Sequence, residues 1–133
     1  MTKERLRKYR DLCKELEQVQ RKIESLETTL YSPTAQRLTG MPSNPSAGNP
    51  LEDMAAKHLE LLDYYKAKNI ELAAEQLAIE QAIDSLEYRE RTLLRLYYID
   101  GLKWEEVCVR ISYSWRQTHK IHAKALEKLK KSA

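Results

Sequence analysis

Near the N-terminus, Tyr9, Leu12, Leu16, Val19, Ile23, Leu26 and Leu30 follow one another in alternating steps of three and four residues, without a miss. That spacing places all of them on one narrow stripe of an α-helix, and the positions between them are almost all charged or polar. Such a stripe is too thin to face a globular core and wide enough to bury against one other helix. Ser32-Pro33 ends the pattern, because proline cannot continue a helix and disfavours helical geometry in the residue before it. A second seam of the same kind runs through Leu62, Tyr65, Asn69, Leu72, Gln76, Ile79, Ile83 and Leu86, within a helix expected from about Leu51 to Leu86. Asn69 and Gln76 fall on that seam. Two readings are open: the amides pair and fix the register, or they sit at a splayed, wet part of it. The two helices are expected to form a coiled-coil hairpin or to pair between chains. A hairpin that leaves Ile70, Ala74 and Leu77 uncovered would favour a homodimer.

The connection between the seams has a different character. All but one of the glycines and prolines lie between Ser32 and Pro50. A connection of this length without periodicity is long for a compact domain. Gln36 to Pro42 is an island of mixed character inside it, either a docking element or, as we favour, part of a flexible linker.

From Leu94 to Lys131 the pattern changes again. Trp104, Val107, Cys108 and Ile111 form one apolar stripe, and Ser112-Tyr113-Ser114 breaks it. Ser114 followed by Gln117 has the form of a capping box that opens a further helix. That helix keeps Thr118, Ile121, Ala125 and Leu129 on one face and carries Arg116, Gln117, His119, Lys120 and Lys124 on the other. An apolar helix, a short polar turn and a basic capped helix form a helix-turn-helix pattern. The expected fold is therefore all-α: a long coiled-coil hairpin over 1–86, with its loop at about 31–50, followed by a small helix-turn-helix domain over 87–133.

Charge follows the same division. Residues from Glu87 onward hold 11 Lys and Arg against 6 Asp and Glu, whereas the remainder of the chain holds 12 against 14. A basic C-terminal third on a near-neutral chain suits a polyanionic partner that engages one end only. Catalysis has little to build on, since there is no glycine-rich phosphate loop, nucleophile-and-base pair or clustered metal-ligand spacing. No cofactor or metal is expected. Cys13 and Cys108 lack any C-x-x-C spacing, and Cys108 lies on the apolar stripe, where a buried core thiol is expected. His119 and His122, three residues apart, would form only half a metal site and read better as phosphate or base contacts. The opening TKERLRKYR is neither a signal peptide nor a membrane span, so a cytoplasmic protein with no membrane association is expected.

The run SWRQTHKIHAKALEKLKK, from Ser114 to Lys131, resembles the recognition helix of sigma factor region four. The upstream YIDGLKWEEV resembles the turn and scaffold helix of the same module. The chain as a whole is similar to small phage and prophage proteins of Gram-positive bacteria, in which a coiled coil and a Thr-Gly-Met-Pro loop, here Thr39 to Pro42, precede such a domain. Two positions depart from the pattern. Lys103 stands where Ser or Thr is usual, and Trp115 where sigma factors often place Arg. The resemblance implies a DNA-binding transcription regulator of phage or prophage genes, acting on double-stranded DNA as a homodimer, with RNA polymerase a further candidate partner. By position in the motif, Arg116 and Lys120 would face base edges with Gln117 and His119 beside them, and Ser114 would cap the helix. Lys124, Lys128, Lys130 and Lys131 would neutralise phosphates. The competing classes are a DNA-packaging or assembly subunit and an adaptor that binds RNA polymerase rather than DNA.

Overall fold

The computed structural model describes residues 1–32 and 49–132. The Thr39–Pro42 motif and the Gln36–Pro42 island lie outside the described residues. Five α-helices follow in order: α1 (Lys3–Leu30), α2 (Pro50–Ile83), α3 (Tyr88–Leu94), α4 (Trp104–Ile111) and α5 (Trp115–Lys131). A π-helical turn, Arg95–Ile99, extends α3. No strand occurs among the described residues, and none of the described helices is long and apolar enough to cross a membrane.

The chain divides into two compact units, Glu15–Ile70 and Met1–Lys14 with Glu71–Ala133. In the first, the C-terminal part of α1 runs antiparallel to the N-terminal part of α2. Tyr65 donates to Gln20 at 3.4 Å, and His58 Nε2 meets Glu27 Oε1 at 2.9 Å. Leu16, Ile23 and Leu26 are buried in it, as the heptad spacing requires. α2 starts where its sequence can start a helix: Asn49 Oδ1 accepts from the Leu51 amide at 3.0 Å, Pro50 takes the first position, and Glu52 and Asp53 face the positive end of the helix dipole. Asn69 makes no register-fixing pair. It is exposed, and its amide donates to its own helix at Tyr65 O, 2.7 Å away.

In the second unit the sequence division at residue 86 gives way to a larger domain. Leu6 and Tyr9 from α1 and Ile79, Ile83 and Leu86 from α2 and the residues after it share one core with Leu93, Leu94, Tyr98, Val107, Ala125 and Leu129. The ends of the two long helices thus share the core of the helix-turn-helix. Polar contacts tie the same elements together. Arg5 forms a two-pronged ion pair with Glu75, and Arg95 one with Glu80 at 2.7–3.1 Å. Arg10 donates to the carbonyls of Tyr97 and Leu102 at 3.0 and 3.3 Å, and its guanidinium lies 4.2 Å from the centre of the Tyr97 ring. The Tyr97 carbonyl lies in the last turn before the loop that leads to Trp104, and Leu102 lies in that loop. Gln76 is exposed, within 3.5 Å of the Tyr9 hydroxyl, so this seam amide too follows the wet reading.

The π-helical turn closes at Gly101, whose φ of 72° is one that glycine adopts at no steric cost. Within it the adjacent Tyr97 and Tyr98 rings meet edge to face at 4.8 Å.

Candidate nucleic-acid interface

α4 and α5 are joined by Ser112-Tyr113-Ser114, with Ser112 in the left-handed conformation at φ 60° closing α4. This is an uncommon place for a residue other than glycine, and it turns the chain sharply enough to start α5 at once. The Lys103 side chain does not cap α4, whose first turn carries Glu105 and Glu106 in the favourable polarity. α5 opens on a complete capping box: the Ser114 hydroxyl accepts from the Gln117 amide at 3.2 Å, and the Gln117 side-chain oxygen accepts from the Ser114 amide at 3.3 Å.

Thr118, Ala125 and Leu129 are buried along one face of α5, and His122 joins them. The opposite face carries Arg116, Lys120, Lys124 and Lys130, all exposed and without an ion-pair partner among the described residues. Arg116, Lys120 and Lys124 stand four residues apart, so their charges form a single row along the helix. Trp115, half-exposed, stands at the head of the helix with its ring 4.5 Å from that of His119.

Other sequence candidates have different surroundings. The Gln117 oxygen is committed to the cap. His119 is half-buried, its ring 4.6 Å from the Trp104 ring, and its Nε2 is shielded from solvent with no hydrogen-bond partner in the structure. His122 faces the interior, which corrects its reading as a DNA contact. Its Nε2 is joined to the Tyr98 hydroxyl by a 2.7 Å hydrogen bond, and burial, reinforced by the nearby Lys3 charge, pushes its pKa down to about 4. Burial pushes the Tyr98 hydroxyl up to about 12. Lys128 does not stand free for phosphate. Its ammonium lies 2.6 Å from Glu90 Oε1 and 3.9 Å from Glu87, and the Glu90 hydrogen bond raises its pKa. Glu90 is almost wholly buried, so Lys128 serves to neutralise a carboxylate inside the fold. Lys131 forms a solvated pair with Glu127 at 3.3 Å.

The helical pattern alone did not reveal the aromatic–imidazole cluster beside α5. Tyr97 stacks on Trp104 at 3.9 Å, and Trp104 meets the His122 ring edge to face at 4.7 Å. A signal was present all the same: His122, Ala125 and Leu129 are spaced i, i+3, i+7, which places His122 on the apolar side. Cys108 is half-buried and lies outside the core cluster, contrary to its expected role as a core thiol, and neither it nor Cys13 forms a disulfide. Among the described residues no three His, Cys, Asp or Glu side chains are gathered as metal ligands.

No curated protein and no solved structure matches the chain. Residues 82–131 match the family model for sigma-70, region 4, which begins in the last turn of α2 and ends with α5, and so covers the helix-turn-helix and most of the core beneath it.

Proposed function

We propose that this protein is a sequence-specific DNA-binding regulator of transcription, acting on phage or prophage genes in the cytoplasm, with no catalytic role. One observation carries the reading: the exposed, unpaired row of Arg116, Lys120 and Lys124 on a capped helix whose other face is buried. A helix presented in this way fits the major groove. Its N-terminal residues then meet base edges, while charges farther along meet the phosphate backbone. Arg116 offers a planar fork that suits guanine O6 and N7, and Lys120 a point charge for the same acceptors. Lys124 and Lys130 would add affinity without sequence preference. The match to sigma-70 region 4 over 82–131 supports the same reading.

A homodimer is the form in which one such module gains enough contact for tight binding. Its support is on α2, where Ile70 and Leu77, one heptad apart, are 73% and 59% exposed. A second reading, an adaptor for RNA polymerase, draws on α4, where Val109 is 78% exposed among Glu105, Glu106 and Arg110. Selection from a randomised duplex pool separates the two. A regulator enriches a defined motif, and Arg116→Ala or Lys120→Ala relaxes one position of it. An adaptor enriches none and retains polymerase binding after either substitution.

A further inference from the structure

Beside α5 lies a pocket of about 280 Å³ whose walls include Lys3 and Arg7 from α1 and Trp104, His119 and His122 from the helix-turn-helix. We infer that it binds a phosphate group, supplied by the backbone of duplex DNA at the flank of the recognition helix. This inference rests on the DNA-binding reading and adds the N-terminal helix to the interface, although α1 lies outside the stretch that resembles sigma-70 region 4.

The chemistry of the walls selects an anion. Among the described residues no carboxylate lines the pocket. Lys3 and Arg7 sit one helical turn apart on the same side of α1, both exposed, and neither has an ion-pair partner among the described residues. Of the neighbouring cations of α1, Arg5 is engaged by Glu75 and Arg10 by two backbone carbonyls. His119 lines the pocket beside Lys3 and Arg7, its ring 4.6 Å from that of Trp104. Tyr97 and Trp104 form a further part of the wall. Burial is the main cause of the depressed His122 pKa, and the nearby Lys3 charge adds to it.

Position selects the source of the phosphate. At about 100° per residue, His119 lies roughly 60° around α5 from Arg116, next to the exposed row. A recognition helix in the major groove is flanked by the phosphates of the two strands, and this pocket opens on one of those flanks.

The test uses the full chain and its Lys3→Gln, Arg7→Gln and doubly substituted forms, each checked for unchanged helicity by circular dichroism. Binding to a selected duplex is followed by fluorescence anisotropy across a salt series. The slope of log affinity against log salt is expected to fall by about one unit for each cation removed, with base preference unchanged, and Lys3→Arg to keep the wild-type slope. A double variant that binds the duplex with the wild-type slope overturns the inference. If the wild-type chain binds no duplex, the DNA-binding reading itself has failed, and inorganic phosphate becomes the probe. A phosphate-dependent rise in Tm present in wild type and absent in the double variant keeps the pocket and assigns it to a free anion; no such rise overturns the pocket as well.

Discussion

Replacing Leu6 with alanine should destabilise the helix-turn-helix, although Leu6 lies in the first two turns of the chain. Leu6 is fully buried and belongs to the core that contains Tyr98, Val107, Ala125 and Leu129. Truncating a fully buried leucine removes its transfer free energy and leaves a cavity, together about 2–5 kcal/mol. Because α1 begins nearby and can relax into part of the space, a loss of about 3 kcal/mol is expected, or roughly 12–24 °C in Tm for a unit of this size. The assay is specific because both tryptophans of the chain, Trp104 and Trp115, lie in α4 and α5. Urea unfolding followed by tryptophan emission therefore reports on the helix-turn-helix itself. Leu59→Ala serves as the control, since Leu59 is exposed and a change there should stay within about 0.5 kcal/mol. An unchanged tryptophan midpoint in Leu6→Ala would refute the shared core. The same reasoning predicts that residues 87–133 alone, deprived of Leu6, Tyr9, Ile79, Ile83 and Leu86, will not fold cooperatively.

His122 should make stability fall with acid. Its folded pKa of about 4 lies below the ordinary value of 6.5, so the unfolded chain binds the proton more tightly and stability drops as pH falls from about 6.5 to 4. The ceiling is about 3 kcal/mol and solvent screening brings the expectation to about 1–2, measurable as an acid-side loss in urea midpoint that His122→Gln flattens. Lys128→Met should lower Tm by stranding the buried Glu90, with the salt slope of DNA binding unchanged; a lower slope at unchanged Tm would restore Lys128 as a phosphate contact. Ile70→Asp should shift light-scattering mass from dimer to monomer at micromolar concentration with helicity intact, and a mass equal to wild type would remove this face from the proposed dimer.

What could be read in the sequence was angular. Tyr9 to Leu30 and Leu62 to Leu86 marked two helices because a period of three and four residues has one geometric meaning, and Ile79, Ile83 and Leu86 of the second are buried as that period expects. The capping box could be read for a similar reason, since Ser114 and Gln117 interact across three residues of one chain segment. What depended on neighbours from distant segments was hidden. Lys128 stands on a basic helix like its fellow lysines, and only the fold brings Glu90 within 2.6 Å of it. Asn69 and Gln76 lie on the seam by count, yet the chain offers them nearer partners than each other. Leu6 precedes the regular seam, and its burial comes from the domain that follows much later in the chain. The π-helical turn leaves no periodic trace, yet it carries Tyr97 and Tyr98, which line the pocket beside α5.

The central claim, that α5 reads DNA sequence through Arg116 and Lys120, is tested most directly by comparing the full chain's affinity for a selected duplex with that for a permuted duplex of equal length and composition. At about 0.15 M salt the selected duplex should bind roughly 10³-fold or more tightly, and substitution of Arg116 and Lys120 together by alanine should remove most of that ratio while leaving the weaker, sequence-independent binding in place. Equal affinity for the two duplexes, or a ratio untouched by the double substitution, would contradict it.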